Sequence, residues 1–253
     1  MVGTRALVLS PASLDLTRPD ASQYGQALPG TRALLLVDVA EQAETAARMA
    51  PRLLDARERT RAAAFRNAED RASYLVAHVG LRLLLGHLTG GDPARLRMGR
   101  AACPGCGGPD GRPVLVGDDL SFSLSHTRAL VLLAVADVPI GVDVEAVPSA
   151  SVVADTASML PSAEQRELAE LPLAARPDAF VRAWARREAC GKATGTGLAH
   201  GGMERFVGTG PSPAEVGPEL ELHDVAAPDG YAAAAALTLG EEGKARRGIE
   251  PGQ

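Results

Sequence analysis

The chain contains 253 residues, of which 46% are hydrophobic and 23% are charged, and its formal net charge is −5. A chain of this size can bury a sizeable core in one or two domains, whereas its net negative charge offers no basic footprint for nucleic acid. No apolar stretch is long enough to cross a bilayer, the N-terminus does not resemble a secretory signal, and the three cysteines, an odd number, give no disulfide framework. We therefore expect a cytoplasmic protein without nucleic-acid or membrane partners.

The N-terminal half of the chain is predicted to combine strands and helices. A short strand near Ala6–Leu9 opens residues 1–30, a Pro-, Ser- and Asp-rich stretch without clear periodicity that we interpret as a surface extension. A strand at Ala33–Val39 and a helix at about Glu41–Met49 follow it. After them come a long amphipathic helix at about Asp70–Leu88 and strands at Asp119–His126 and Leu130–Ala136. Leu75 and Val79 supply the apolar stripe of the long helix, and the last two strands predict a hairpin.

One face of the long helix carries basic side chains. Arg71, His78 and Arg82 fall at i, i+7 and i+11 and therefore share a face. Such a face either lies in solvent or contacts a ligand. We favour the solvated face, because the polar side of an amphipathic helix usually points to water.

The C-terminal half is predicted to repeat the order strand, helices, strands. Its strand and its two helices are Gly141–Glu145, about Pro161–Leu171 and Asp178–Thr194. In the second helix Asp178 is a candidate N-cap and Gly195 a candidate stop. Phe180 and Trp184 lie four residues apart and would form its apolar stripe.

The strand G-V-D-V-E carries two carboxylates on one face. Val142 and Val144 alternate with Asp143 and Glu145, so the valines point into the core and the carboxylates point the other way. Residues i and i+2 lie roughly 6.5–7 Å apart along a strand, from where carboxylate oxygens can converge on one hard cation. An edge strand with a solvated face explains the same pattern. The strand alone leaves both interpretations open.

The second helix adds a carboxylate and a lysine. Glu188 and Lys192 lie four residues apart and share a face, as in an ordinary solvent-side pair worth a few tenths of a kcal/mol. The chain has lysine only at positions 192 and 244, however, so a lysine in the body of the protein is unusual. Together with Asp143 and Glu145, these residues suit a divalent cation, a polyphosphate and a proton transfer.

These motifs carry a resemblance to a known family. G-V-D-V-E followed by W-A-R-R-E-A-C-G-K resembles the signature of the 4'-phosphopantetheinyl transferases, specifically the surfactin-synthetase type. F-S-L-S-H-T at Phe122–Thr127, G-R-P at Gly111–Pro113 and the segment from Glu58 to Gly86 are similar to further motifs of that family, in the same order.

The resemblance covers roughly residues 31–240 and implies a fold and an activity. The implied fold is α+β, a pseudo-twofold pair of similar halves with the active site in the cleft between them. The halves would be 31–136 and 137–240, the second carrying the metal and catalytic motifs, and residues 241–253 would form a tail. The implied enzyme is a monomer that transfers the 4'-phosphopantetheine arm of coenzyme A to a serine of an acyl- or peptidyl-carrier protein in polyketide or nonribosomal peptide biosynthesis.

The resemblance also implies roles for individual residues. Asp143, Glu145 and Glu188 would hold Mg²⁺, with Mn²⁺ as a substitute, Glu188 would also act as base, and Lys192 would stabilise phosphate charge. The residues implied to contact coenzyme A are Arg112, Ser125, His126 and, at the 3'-phosphate, Arg61. A single arginine is more often a solvated surface residue, and the role of Arg61 depends on the match alone.

Two positions depart from the family pattern. Arg187 stands where many members have lysine, and Arg and Lys are not interchangeable at demanding sites. Ser123 replaces the usual asparagine of the F-x-x-S-H segment. Neither change removes a candidate cation ligand.

The sequence leaves two alternatives to an active transferase. The first is a catalytically silent relative that binds coenzyme A or a carrier protein, against which the complete set of acidic residues and lysine argues. The second is a nucleic-acid binder built on Cys103 and Cys106, which resemble half of a zinc knuckle. A structural zinc site needs four ligands, and we favour a simple turn at this C-P-G-C sequence.

Overall fold

The computed structural model describes residues 7–17, 28–109, 111–197 and 204–239. The predicted tail at 241–253, most of the predicted extension and Ala6 lie outside these residues. The chain forms two compact units, which we describe separately. The first contains Pro11–Ala101 and Pro113–Asp137, and the second contains Met1–Ser10, Ala102–Arg112 and Val138–Gln253.

The first unit is a mixed sheet covered by helices. Its elements are β1 (Ala12–Ser13), β2 (Thr31–Asp38), α1 (Val39–Leu53), α2 (Ala56–Ala63), α3 (Ala68–Thr89), β3 (Met98–Arg100), β4 (Pro113–Leu115), β5 (Ser121–His126) and β6 (Leu130–Ala136). The main sheet has the strand order β1-β2-β6-β5, and β3 pairs with β4. The predicted hairpin is confirmed, since β5 and β6 are antiparallel neighbours.

Alternate residues of the central strands form the core of this unit. Leu35 of β2 pairs with Leu133 of β6, and both pack against the buried face of α3, which includes Val76 and Leu84. Capping side chains fix where the helices begin. Asp38 accepts hydrogen bonds from two amides in the first turn of α1, which explains why the helix starts at Val39, inside the predicted strand.

The prediction of a solvated basic face on α3 holds for Arg71, which is exposed, but is wrong for Arg82. Arg82 is completely buried and donates hydrogen bonds to Glu58 (2.8 Å) and Asp55 (3.1 Å) and to two backbone carbonyls. His78 lies 3.2 Å from the same Glu58 carboxylate. Burial raises the pKa of Glu58, but hydrogen bonds from His78, the Asp55 amide and Arg82 outweigh burial and lower it. The buried guanidinium of Arg82 is tolerated because its hydrogen bonds to the two carboxylates and the two carbonyl oxygens replace the hydration that it loses.

We expect Arg82→Met to destabilise the protein strongly, because it leaves the Glu58 carboxylate buried without its cation. Breaking a buried ion pair in this way costs about 3–5 kcal/mol. Arg71→Met is the matched control, since Arg71 lies exposed on the same helix. Urea unfolding of both variants measures the difference. Equal losses of unfolding free energy would show that the Arg82 network does not anchor α3.

The second unit is a three-stranded antiparallel sheet with one long helix. Its elements are β7 (Ile140–Ala146), α4 (Ala150–Thr156), α5 (Ser162–Glu170), α6 (Arg176–Thr194), β8 (Leu220–Val225) and β9 (Tyr231–Thr238). The strand order is β7-β9-β8. Alanines dominate the contact of α6 with the sheet, for example Ala189 and Ala193 on the helix and Ala234 and Ala236 on β9.

The end of α6 is confirmed and its predicted start is wrong. Gly195 closes the helix in the left-handed conformation, with φ of 76°. The helix begins at Arg176, two residues before the predicted start, because a 3-10 turn at Leu173–Ala175 leads directly into it. Asp178 therefore lies in the first turn and is not the N-cap. Phe180 and Trp184 stack as the predicted apolar stripe, with ring centroids 5.8 Å apart.

None of the helices in the described part of the chain is long and apolar enough to span a membrane.

Candidate active site

The candidate site forms where α6 crosses β7 at Gly141. A Cβ atom on Gly141 would lie 2.1 Å from the backbone oxygen of Ala189 and 2.4 Å from the backbone nitrogen of Ala193. Real side chains do not approach a backbone so closely, so only glycine permits this contact. The first residue of G-V-D-V-E thus sets the distance between the strand and the helix.

Both faces of β7 are buried. Gly141, Asp143 and Glu145 lie on the face that α6 covers, and Val142 and Val144 lie on the opposite face. Asp143 is only 2% exposed. The interpretation of β7 as a strand with a solvated carboxylate face is therefore wrong for Asp143.

Lys192 reaches from α6 to the strand. Its Nζ atom donates to Asp143 Oδ1 at 2.7 Å and to the carbonyl oxygen of Val142 at 3.0 Å. The carboxylate partner is 49 residues away in the chain, so Lys192 is not an ordinary surface lysine paired within its own helix. The Lys192 side chain is 30% exposed to solvent.

Glu145 and Glu188 belong to the same electrostatic cluster. Burial raises the pKa of Glu145 to about 7, with a further increase from Asp143 and Glu188 that Lys192 opposes. Burial also raises the pKa of Glu188, and Asp143 raises it further against the effect of Lys192. Glu145 therefore experiences the charges of Asp143 and Glu188, and Glu188 experiences the charge of Asp143. With three carboxylates and one lysine, the cluster has an excess of negative charge.

This donor set fits a hard divalent cation. Carboxylate oxygens are the ligands that Mg²⁺ uses in proteins, and a cation would offset the burial and the mutual repulsion that raise the pKa values of Glu145 and Glu188. Among the described residues, however, no three His, Cys, Asp or Glu side chains are already arranged as a metal-binding group.

A second ion pair fixes α6 at the other edge of the sheet, and the sequence analysis missed it. Arg186 is fully buried and binds Asp224 of β8 through two hydrogen bonds of 2.7 Å. Asp143 on β7 and Asp224 on β8 both pair with Ala234 of the central strand β9. The two aspartates therefore lie on the same face of the sheet as Ala234, at its opposite edges, and both face α6. The helix is thus held by Lys192 at one edge and by Arg186 at the other.

Arg187, the departure from the family pattern, points away from the carboxylate cluster. It is fully buried against Glu164 of α5, and it also donates to the carbonyl oxygen of Arg205 at 2.6 Å. Glu164 in turn accepts from the amides of Val207 and Gly208 at 2.7 and 3.1 Å. Burial lowers the pKa of Arg187, and Glu164 opposes that effect. This pair therefore anchors the segment 205–208 and has no direct contact to offer a substrate.

The candidate coenzyme A residues lie in both units. Arg112 is half-buried in the second unit and lies beside Gly195 at the end of α6. If Gly195 carried a Cβ atom, that atom would lie 3.8 Å from the Cβ atom of Arg112. In the first unit Ser125 is buried on β5 and His126 is exposed at the end of the same strand. Arg61 is exposed on α2, with its guanidinium 5.3 Å from the ring centre of Phe65.

Ser73 fixes the orientation of the His126 ring. The Ser73 hydroxyl donates to the carbonyl oxygen of Thr127 and lies 2.9 Å from Nδ1 of His126. Because its only proton goes to the carbonyl, the hydroxyl must accept from Nδ1–H. The other ring nitrogen, Nε2, is thereby directed away from Ser73.

The C-P-G-C sequence forms a turn. The amide of Cys103 donates to the oxygen of Gly108 at 2.7 Å, and the amide of Gly107 donates back to the oxygen of Cys103 at 2.8 Å. Cys103 is buried and Cys106 is exposed, and neither is in a disulfide. The third cysteine, Cys190, faces the core, where burial raises the pKa of its thiol to about 11. The predicted turn is confirmed, and the alternative of a zinc site at Cys103 and Cys106 stays untested.

Comparison with known proteins supports the motif analysis over part of the chain. Residues 139–227 match the family model of the 4'-phosphopantetheinyl transferase superfamily. That range contains β7 and α6, and hence the whole carboxylate and lysine cluster. Proteins of this superfamily use coenzyme A as a substrate, act on carrier proteins and generally depend on Mg²⁺. No curated protein matches the chain.

We expect Gly141→Ala to lower the free energy of unfolding, because the added methyl group would collide with the backbone of α6. Overpacking of this kind costs about 1–3 kcal/mol, and more where backbone must move. Gly99→Ala on β3 is the matched control, since its Cβ would come no closer than 3.4 Å to Val116. Thermal and urea unfolding measure both variants. A Gly141→Ala variant as stable as the control would contradict the close approach of α6 to β7.

Proposed function

We propose that the protein transfers the 4'-phosphopantetheine arm of coenzyme A to a serine of an apo acyl- or peptidyl-carrier protein and releases adenosine 3',5'-bisphosphate. The supporting observation is the cluster of Asp143, Glu145, Glu188 and Lys192 at the crossing of β7 and α6. It lies inside the range that matches the transferase superfamily. The surfactin-synthetase type, the two similar halves at 31–136 and 137–240 and the monomeric state are parts of this proposal.

The reaction forms a bond between the serine oxygen and the β-phosphorus and breaks the bond to the leaving adenosine bisphosphate. Phosphoryl transfer depends mainly on positioning and on stabilisation of charge. Asp143, Glu145 and Glu188 would hold the divalent cation, Mg²⁺ or Mn²⁺, which would neutralise pyrophosphate charge when bound. Glu188 would accept the serine proton, directly or through water.

Lys192 is positioned to contact a phosphate group. Its ammonium group has three protons, of which two are used in the hydrogen bonds to Asp143 and Val142. The third can be donated to a phosphate oxygen, because the side chain is partly exposed.

Four other residues complete the proposed binding of coenzyme A. Arg112 and His126 would contact its phosphates, Ser125 would add a hydrogen bond, and Arg61 would contact the 3'-phosphate.

The direct test is intact-mass spectrometry of apo-carrier domains after incubation with the protein, coenzyme A and Mg²⁺. We expect the mass of the carrier to increase by one phosphopantetheine group, and we expect no increase in excess EDTA. Full turnover in EDTA would contradict a cation-dependent site. Tight binding of coenzyme A without labelling of any acyl- or peptidyl-carrier domain would instead favour a catalytically silent binding protein.

We expect Glu188→Gln to lower the transfer rate by roughly 10²–10⁴, because it removes the proton acceptor and a cation ligand together. Lys192→Ala should lower kcat more than it weakens coenzyme A binding, if its charge meets the phosphate most strongly in the transition state. Glu170→Gln removes an exposed carboxylate of α5 and serves as the control. Steady-state kinetics with a labelled carrier measure all three. Transfer by Glu188→Gln at the wild-type rate would overturn the site assignment.

A further inference from the structure

The first unit contains a groove that has no part in the proposed transfer reaction. Its volume is about 570 Å³, and it lies between α1, the connection from α2 to α3, and α3. Alanines at positions 43, 47 and 50 line its α1 side, and their short side chains leave the space open. No residue assigned to coenzyme A or the cation lines it.

The groove combines an apolar floor with positive charge. Arg59, Arg66 and Arg71 line it, and no acidic residue does. Arg59 donates to the carbonyl oxygen of Leu54. Within the described residues, the side chains of Arg66 and Arg71 have no hydrogen bond or ion pair with another protein group. Two guanidinium groups are thus available to an anion next to the apolar surface that Phe65 and the alanines provide.

The size and the charges together indicate the class of ligand. Small-molecule sites typically have volumes of about 300–1,000 Å³ and are mainly apolar with a few polar groups that orient the ligand. Guanidinium groups bind carboxylate and phosphate oxygens through paired hydrogen bonds. A nucleic acid would instead require an extended basic surface, and the chain as a whole is acidic.

We propose that this groove binds a small amphipathic anion. The apolar part of the ligand lies along Ala43 and Ala47 of α1 and the ring of Phe65, and a carboxylate or phosphate head is held by Arg66 and Arg71. The residues that carry the proposal are not among those assigned to the cation or to coenzyme A, although Phe65 also contacts Arg61.

Isothermal titration calorimetry of the full chain tests the proposal with decanoate and decyl phosphate, each below its micelle concentration. We expect saturable binding of at least one of them at one molecule per chain, and the tighter ligand identifies the preferred head group. Decanol lacks the charge and inorganic phosphate lacks the chain, so we expect both to bind at least tenfold more weakly. Decanol binding as tightly as the anions would overturn the role of the arginines.

Variants locate the site. Arg66→Gln with Arg71→Gln should weaken binding about tenfold or more, because it removes both guanidinium groups that hold the head group of the anion. Arg48→Gln with Arg52→Gln is the control, because it removes the same charge from α1 outside the groove. Equal weakening in both double variants would show non-specific attraction and overturn the proposal.

A second variant tests the volume and leaves the charge unchanged. Ala47 is exposed at the wall of the groove, so Ala47→Leu should fold normally and fill the space. We expect this variant to lose binding of the preferred anion. Unchanged binding in Ala47→Leu, or no saturable binding of either anion to the wild-type protein, would show that the groove is only a gap between alanine-rich helices.

Discussion

The close approach of α6 to β7 at Gly141 is the constraint on which the candidate site depends. A glycine on the strand and alanines on the helix allow the two backbones to approach more closely than larger residues would permit. Lys192 can therefore reach Asp143 with a 2.7 Å hydrogen bond, and Glu188 lies close enough to Asp143 for that charge to raise its pKa. A wider separation would place the same side chains in water, where their interaction would be weak.

Two ion pairs then fix the orientation of the helix, one fully buried at Arg186 and one partly exposed at Lys192. Arg186 meets Asp224 at one edge of the sheet while Lys192 meets Asp143 at the other, so α6 cannot rotate without losing at least one of these contacts. Arg187 and Glu164 hold the following segment against the same helix. Such pairs add little net stability compared with apolar packing, but breaking one is costly. Their effect is to specify one arrangement of the site.

Local patterns in the sequence predicted the elements better than they predicted the pairings. The run of apolar residues Leu130–Ala136 corresponds to β6, and Gly195 ends α6 as its position indicated. The burial of Arg82 and the pairing of Arg186 with Asp224 could not be read from spacing, because they join residues that only the tertiary fold brings together. Spacing on α6 correctly placed Glu188 and Lys192 on one face, yet it could not show that Lys192 pairs with a strand carboxylate.

The central claim is that Asp143, Glu145, Glu188 and Lys192 form one electrostatic cluster because α6 lies against β7. Carbon-detected NMR titration of the Glu145 carboxyl group in the metal-free protein measures this most directly. We expect a pKa of about 7 in the wild type, raised by burial, Asp143 and Glu188, and a clear decrease in Asp143→Asn, which removes one negative charge and frees Lys192. An ordinary carboxyl pKa for Glu145, or one that Asp143→Asn leaves unchanged, would contradict the account.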